Sequence, residues 1–311
     1  MKKIFEQRKG ELTTQQIITI TILVVSFIVI LFLLFRLNLG EETGKELCRN
    51  SVLLKSKSIL PKDSVSLNCY RSYKCITYDG SCEGLNEPEV VKVETKEEIY
   101  QQLSDEMSDC WYMFGEGKVD YVGTSATKNN YCSICSQIAF DNSLSNVPGV
   151  ENGEISKDEL YSYLSTAKIN GDLTYAEYLF RTKDIESLKQ AGAQSGAGTF
   201  GKIPTGKQSF VVMGITSQVN SWVWYATAVG VGALGVLAIT PAGLVSIGIG
   251  LLVVSGGIAG SGAIIENFEP EISAIIVNGT NIPNIFLSPT IIEADSERFK
   301  ALNCEEILTL S

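Results

Sequence analysis

The chain has 311 residues, a formal net charge of −10, 45% hydrophobic residues and 19% charged residues. This composition is too apolar for a disordered chain, and the acidic excess argues against a protein that binds nucleic-acid phosphates. Histidine is absent, which excludes Ser-His-Asp triads, Cys-His dyads and His-ligated metal sites. No motif indicates a reaction, so we expect a non-enzymatic protein without a catalytic residue, cofactor or metal.

The first predicted element is a transmembrane helix over residues 17–35, a run without any charged side chain. At roughly 1.5 Å per residue such a run matches the hydrocarbon thickness of a bilayer. Residues 1–16 form a basic segment, which the positive-inside rule places in the cytoplasm, with the bulk of the chain outside the cell membrane. A buried core helix is the alternative, but the run lacks a polar stripe.

The residues just before this run have a recognisable order, RKGELTTQ over residues 8–15. They resemble the class III signal peptide of archaeal type IV pilin-like proteins. The resemblance implies cleavage between Gly10 and Glu11, with the apolar stretch kept as the mature N-terminal helix. Bacterial pilins carry Glu at the fifth mature position, where this chain has Gln15. An uncleaved signal anchor is the alternative.

Eight cysteines follow the predicted span: Cys48, Cys69, Cys75, Cys82, Cys110, Cys132, Cys135 and Cys304. An even number on the exported side predicts disulfides, although the sequence leaves roughly a hundred pairings open. The closeness of Cys69, Cys75 and Cys82 indicates a stapled hairpin or loop.

Two alternatives concern Cys132 and Cys135. A thioredoxin-like redox site would place this pair at the start of a helix, whereas the following residues 136–141 predict a strand. A four-cysteine zinc site would normally need a second Cys-x-x-Cys pair, which the chain lacks. Structural disulfides are therefore the favoured interpretation.

Residues 36–190 are predicted to form a Cys-rich α+β ectodomain. Residues 90–93 form a strand candidate, and a capping box at Thr95 and Glu98 opens a helix that ends near residues 115–117. A second capping box, Ser156 and Glu159, opens another helix, and residues 173–180 are amphipathic. The aromatic residues next to Cys110 are expected to be core.

Two segments of this region, DCWYMFGEG at 109–117 and YCSIC at 131–135, share an order of cysteines and aromatic residues with a known group. They resemble uncharacterised membrane proteins of small-genome archaea. The resemblance implies a membrane location and a similar architecture, and it implies no chemistry.

A linker rich in Gly, Ser and Ala is predicted over residues 191–207, followed by a strand and approach segment over 208–221. Residues 222–265 are apolar and uncharged, and they predict a glycine-rich transmembrane helical hairpin that turns at Pro241. Gly256 and Gly260 have the Gly-x-x-x-Gly spacing that packs helices closely in lipid. A soluble domain with a buried Gly/Ala-rich helical hairpin is the alternative.

Residues 266–311 are predicted to be an acidic extracytoplasmic tail that rejoins the ectodomain through Cys304. Two crossings by the hairpin would keep all eight cysteines in one compartment. The tail carries a lone glycosylation sequon at Asn278. Residues 210–213 and 275–277 are expected to be strands that pair with each other.

These features together predict a membrane-anchored surface or envelope protein that binds a protein partner or assembles into a homo-oligomer. Its expected partners are the lipid bilayer and protein, and not nucleic acid. One alternative is a protein that forms pores or perturbs membranes through the glycine-rich hairpin. The other is an envelope thiol-disulfide oxidoreductase that uses Cys132 and Cys135.

Overall fold

The computed structural model describes residues 14–36, 39–82, 86–123, 130–150, 152–194, 198–216, 236–237, 249–254, 271–282 and 284–310. It divides into two compact units, Met1–Gly44 and Lys45–Ser311. The first unit contains helix α1 (Thr14–Arg36). The long apolar helix expected from the sequence is confirmed.

The second unit contains helices and strands in mixed order, with α2 entering it at Lys45. The helices are α2 (Leu39–Lys57), α3 (Lys96–Met113), α4 (Lys157–Thr166), α5 (Tyr175–Phe180), α6 (Ile185–Gln194) and α7 (Glu297–Ala301). The strands are β1 (Ser72–Thr77), β2 (Glu89–Lys92), β3 (Asn130–Phe140), β4 (Glu154–Ser156), β5 (Lys168–Asn170), β6 (Leu173–Thr174), β7 (Lys202–Pro204), β8 (Gln208–Thr216), β9 (Val236–Leu237), β10 (Ile249–Val254), β11 (Glu271–Asn278), β12 (Ile285–Glu293) and β13 (Glu306–Ile307).

The described strands build one large mixed sheet in the order β2-β1-β3-β8-β12-β11-β10-β9, and β13 pairs with β3. The pairs β1–β2, β1–β3 and β3–β13 are parallel. The remaining pairs, β3–β8, β8–β12, β12–β11, β11–β10 and β10–β9, are antiparallel. Two small antiparallel pairs, β4 with β7 and β5 with β6, lie outside the large sheet. The α+β class expected from the sequence is therefore confirmed.

The large sheet has a core on each face. The larger core takes in α3, α4, α5 and α6 and includes Trp111, whose ring meets that of Phe286 edge-on at 5.8 Å between centroids. The smaller core holds residues of β3, β8, β11 and β12, and Leu302 belongs to it. Leu302 directly follows α7, so this helix and the chain after it contribute to the second face.

The helix ends follow local signals in the sequence. Thr95 and Glu98 form the reciprocal capping box at the start of α3, as expected, and Thr174 and Glu177 form one at α5. The Ser156 side chain accepts a hydrogen bond from the Glu159 backbone at the start of α4. These caps satisfy backbone N–H groups that have no partner inside a helix.

The structure corrects the helical prediction for part of the glycine-rich region. Strand β10 (Ile249–Val254) lies inside the predicted second arm and pairs with β11, and β9 (Val236–Leu237) lies inside the first arm and pairs with β10. A short uncharged aliphatic run fits a buried strand as well as a helix, so its pattern alone does not decide between them. The rest of 222–265, including Gly256 and Gly260, lies outside the described residues.

Two further expectations are revised. The predicted linker 191–207 contains the end of α6 (Ile185–Gln194) and all of β7 (Lys202–Pro204). Residues 210–213 and 275–277 are strands as expected, in β8 and β11, but β12 lies between them. Strand β7 pairs with β4, and β12 pairs with β8 and β11, and short-range patterns do not specify such pairing between distant segments.

Candidate functional site

Helix α1 is the first functional element, and its composition and exposure suit a lipid environment. Its window Gln15–Leu33 has a mean hydropathy of 2.8, and none of that window is buried inside the structure. The hydroxyls of Thr19 and Thr21 donate to the carbonyls of Gln15 and Ile17 at 2.9 and 2.8 Å. Because these polar groups are satisfied within the helix, they do not oppose insertion into a bilayer. Helix α1 could therefore anchor the chain in a membrane.

The second functional element is a set of four disulfides that uses all eight cysteines. The pairs are Cys48–Cys69, Cys75–Cys82, Cys110–Cys135 and Cys132–Cys304. They join α2 to the segment before β1, close the turn after β1, join α3 to β3, and join β3 to the C-terminal segment. Such a set indicates a domain that folds in an oxidising compartment.

The short cysteine motif of β3 is divided between the two cores. Cys132 lies in the smaller core and bonds Cys304, while Cys135 lies in the larger core and bonds Cys110. Three residues of strand separation place side chains on opposite faces of a sheet. A dithiol–disulfide cycle needs its two sulfurs to bond each other, and this arrangement keeps them apart. Among the described residues, no group of three or more acidic or cysteine side chains is placed to hold a metal ion.

The Cys132–Cys304 bond also settles how the end of the chain is attached. Leu310 N donates to the Cys69 carbonyl at 2.8 Å, and Arg71 N donates to the Leu310 carbonyl at 2.9 Å. Leu308 N donates to the Cys132 carbonyl at 2.8 Å. The segment after α7 thus lies beside β3, in line with β1, and the expectation that it rejoins the main domain is confirmed.

A network of tyrosine and carboxylate groups joins α3, α4 and α5. The Tyr175 hydroxyl donates to Asp105 Oδ1 at 2.5 Å, and the Gln101 amide donates to the same atom at 3.0 Å. The Tyr163 hydroxyl donates to Gln101 Oε1. Burial raises the pKa of Tyr175, and the hydrogen bond to Asp105 adds to this effect. The hydroxyl therefore stays protonated and acts as a donor that holds the helices together.

A second contact joins α3 and α4 nearer their N-termini. Lys96 Nζ and the Tyr100 hydroxyl donate to Glu159 Oε2 at 2.6 and 2.8 Å. The bond from Lys96, followed by that from Tyr100, lowers the pKa of Glu159. The carboxylate is therefore ionised at neutral pH with both donors in place, and the contact has the character of a structural ion pair.

Two groups of buried charges lie at the edges of the larger core. Lys74 of β1 meets Glu106 of α3 at 2.8 Å. Glu271 at the start of β11 receives Arg298 of α7 at 2.7 Å and Lys157 of α4 at 3.9 Å. Burial raises the pKa of both Glu106 and Glu271, and it outweighs the attraction of the neighbouring cations. These groups connect separate elements and are enclosed, so they are poorly placed to meet a ligand.

Two surface grooves flank α4, with volumes of about 320 and about 280 Å³. The first holds Asp158 and Lys189, which are 2.6 Å apart. The second is crossed by the contact of Lys96 with Glu159 and also holds Lys202, which lies 2.6 Å from Glu154. The charges of the second groove pair with each other and cancel, whereas the first groove is lined by three acidic and two basic side chains and carries a small negative charge.

An exposed apolar surface lies on α2 and the loop after it, and we call it the α2 patch. Its members are Leu47, Leu54, Ile59 and Leu60, which are 49%, 70%, 101% and 59% exposed. Leu47 and Leu54 are seven residues apart and so share one side of the helix. Cys48 and Val52, on other positions of α2, are buried. Sequence reasoning missed this patch, although the spacing of the leucines was visible.

The other predicted site residues have different outcomes. Gly10, Glu11, Gly256 and Gly260 lie outside the described residues. Asn278, the glycosylation candidate, is exposed at the end of β11, and its backbone carbonyl accepts a hydrogen bond from Arg181 at 2.5 Å. The side chain of Asn278 is therefore accessible, while its backbone is held.

Comparison with known proteins adds no assignment. No family model matches the chain, and neither a curated protein nor a solved structure matches it at a significant level. The functional interpretation therefore depends on the chain's own geometry.

Proposed function

We propose that this chain is a non-enzymatic, membrane-anchored envelope protein whose disulfide-bonded domain lies outside the cytoplasm and works through a protein partner or self-assembly. The observation that carries this proposal is the combination of one lipid-suited helix, α1, with a domain in which all eight cysteines are paired. Disulfides persist in oxidising compartments and are rare in the cytosol. The basic residues before α1 support a cytoplasmic N-terminus.

The pairing of Cys132 with Cys304 supports a single compartment for the second unit, because this bond spans 172 residues of sequence. Strand β8 lies before the glycine-rich region and β12 lies after it, and the two pair in the same sheet. The sheet thus includes chain from both sides of the glycine-rich region. A cell-surface location and pilin-like processing after Gly10 are part of the same proposal.

A role in binding is supported by an exposed edge of the sheet. Strand β2 (Glu89–Lys92) is terminal in the sheet and pairs with β1 among the described strands. Three of its four residues are exposed, including Val90. An edge strand offers unpaired backbone groups to a strand of another chain, and charged residues at its ends limit indiscriminate pairing.

No second candidate function is favoured by the described residues. The oxidoreductase alternative would use Cys132 and Cys135, which lie in different disulfides on opposite faces. The pore alternative depends on a helical hairpin, and β9 and β10 place strands within its predicted arms.

The test is to map thiols in intact cells with a membrane-impermeant alkylating reagent, before and after reduction, and to identify each cysteine by mass spectrometry. We expect all eight cysteines to be labelled from outside, and only after reduction. Labelling of Cys304 without reductant, or only after permeabilisation, would overturn the proposed compartment. Chemical cross-linking in the same cells, read by mass spectrometry, then separates self-assembly from binding to another protein.

A further inference from the structure

Helix α2 is buried on one side and exposes leucines on another. Cys48 and Val52 are almost fully buried, and Cys48 bonds Cys69. Arg49 Nη1 donates to the Tyr112 carbonyl at 2.5 Å, so the helix is also held against the end of α3. Its exposed side is therefore presented on a fixed surface.

The loop after α2 continues this apolar surface. Ile59 is fully exposed and Leu60 is more than half exposed, directly before Pro61. Burying such side chains from water is favourable, in proportion to the apolar area removed. A soluble surface that exposes two adjacent aliphatic side chains at the tip of a loop, together with two leucines on the preceding helix, indicates a binding surface.

The charge around the patch differs from that of the whole chain. Residues 46–63 contain four basic and two acidic side chains, whereas the chain has a net charge of −10; of the basic ones, Lys55 is buried and Arg49 lies 3.8 Å from Glu116. Lys57 is exposed beside the loop, and Lys62 contacts the Asp120 carboxylate at 3.7 Å. Exposed aliphatic side chains favour insertion at a bilayer interface, and an exposed lysine beside them adds attraction to an anionic surface.

We infer that the α2 patch binds the surface of an anionic lipid bilayer, with Ile59 and Leu60 inserted among the lipids and Lys57 at the headgroups. This inference rests on the proposed membrane attachment through α1. The 19 residues of α2 (Leu39–Lys57) lie between Arg36, the end of α1, and Ile59, so Ile59 can reach the bilayer only if α2 runs along its surface. A second copy of the chain is the other occupant that the test distinguishes.

The test uses the full chain in vesicles of phosphatidylcholine that contain phosphatidylglycerol. The photoreactive residue p-benzoylphenylalanine is placed at position 59, at 173 or at 23, and adducts are identified by mass spectrometry. Leu173 is an exposed aliphatic residue at the start of β6 and serves as the matched control. Leu23 lies in α1 and reports the membrane attachment itself.

We expect lipid adducts at positions 23 and 59, with the yield at 59 at least an order of magnitude above that at 173. Lys57→Glu should lower the yield at 59 severalfold, and leaving phosphatidylglycerol out of the vesicles should have the same effect. Lipid adducts at 23 without any at 59 would overturn the inference and leave the proposed anchor standing. Adducts at 59 to a second copy would likewise overturn it. Absence of lipid adducts at 23 would overturn the anchor and the inference together.

Discussion

The disulfide between Cys132 and Cys304 should contribute more to stability than the one between Cys75 and Cys82. The first closes a loop of 172 residues and the second a loop of 7. A cross-link stabilises the folded state chiefly by restricting the unfolded chain, and the restriction grows with the logarithm of loop length. Replacing each pair by alanine separates this effect from packing, since Cys132 and Cys75 are both fully buried and their partners are both partly buried.

The expected magnitudes follow from these loop lengths. The chain-entropy relation gives about 5 kcal/mol for the long loop and about 2 kcal/mol for the short one. The loss of buried sulfur is similar in the two variants, so it largely cancels when they are compared. The difference in the free energy of unfolding should therefore be about 3 kcal/mol, with Cys132→Ala/Cys304→Ala the less stable variant.

The assay is urea unfolding of the full chain in detergent micelles, followed by circular dichroism. Mass spectrometry of each variant should first verify that the other three disulfides are intact. An equal loss of stability in both variants, or a greater loss for the Cys75 and Cys82 variant, would contradict the argument from loop closure. A steeper urea dependence of the free energy of unfolding in the Cys132 and Cys304 variant would be consistent with a less compact unfolded state.

Three further predictions concern other parts of the chain. Burial raises the pKa of Glu106 above its usual 4.5, so the folded state binds the Glu106 proton more tightly than the unfolded state does. The free energy of unfolding should therefore fall as the pH rises from about 4.5 toward the raised pKa of the folded state. Glu106→Gln should make this fall smaller in urea titrations from acidic to neutral pH, because Glu271 keeps its own contribution, whereas the exposed Glu94→Gln should leave the fall unchanged. A Cβ on Gly201 would lie 1.6 Å from Glu271 Oε2 at a backbone φ of +85°, so Gly201→Ala should cost about 3 kcal/mol in thermal or urea unfolding. Gly80→Ala, at φ +90° with no atom within 4 Å, should cost only about 1 to 2 kcal/mol, and an equal cost would contradict the steric explanation. Proteolytic processing at the pilin-like signal should give a mature chain that begins at Glu11, which N-terminal sequencing of the protein from its own membrane checks; an intact Met1 would identify an uncleaved anchor.

Several features could be predicted because their causes lie within a few residues. The uncharged run within α1 is long and apolar, and these two properties predict a helix without reference to any tertiary contact. The cap of α3 joins Thr95 to Glu98 through hydrogen bonds three residues apart, so its sequence signal is complete in itself. The assignment of all eight cysteines to disulfides followed from their even number and their position after the apolar run.

The exposed α2 patch could have been anticipated only in part. The seven-residue spacing of Leu47 and Leu54 places them on one side of a helix, but a leucine stripe normally faces the core. Their exposure depends on which side of α2 the Cys48–Cys69 bond and the Arg49 contacts hold against the domain.

By itself, the sequence determined the starts of α3 and α4, because the capping hydrogen bonds lie within one helical turn. It also determined the apolar first helix, from its uncharged run, and the oxidised state of the cysteines, from their even number and their position after that run. Only the tertiary structure decided the partner of Cys132, which is 172 residues away, and the strand conformation of Ile249–Val254. A strand becomes stable when a distant segment supplies its hydrogen bonds, here β11 beside β10. Closing such long loops costs conformational entropy, and only the contacts of the assembled sheet and core offset that cost. A short window of sequence therefore cannot predict these pairings.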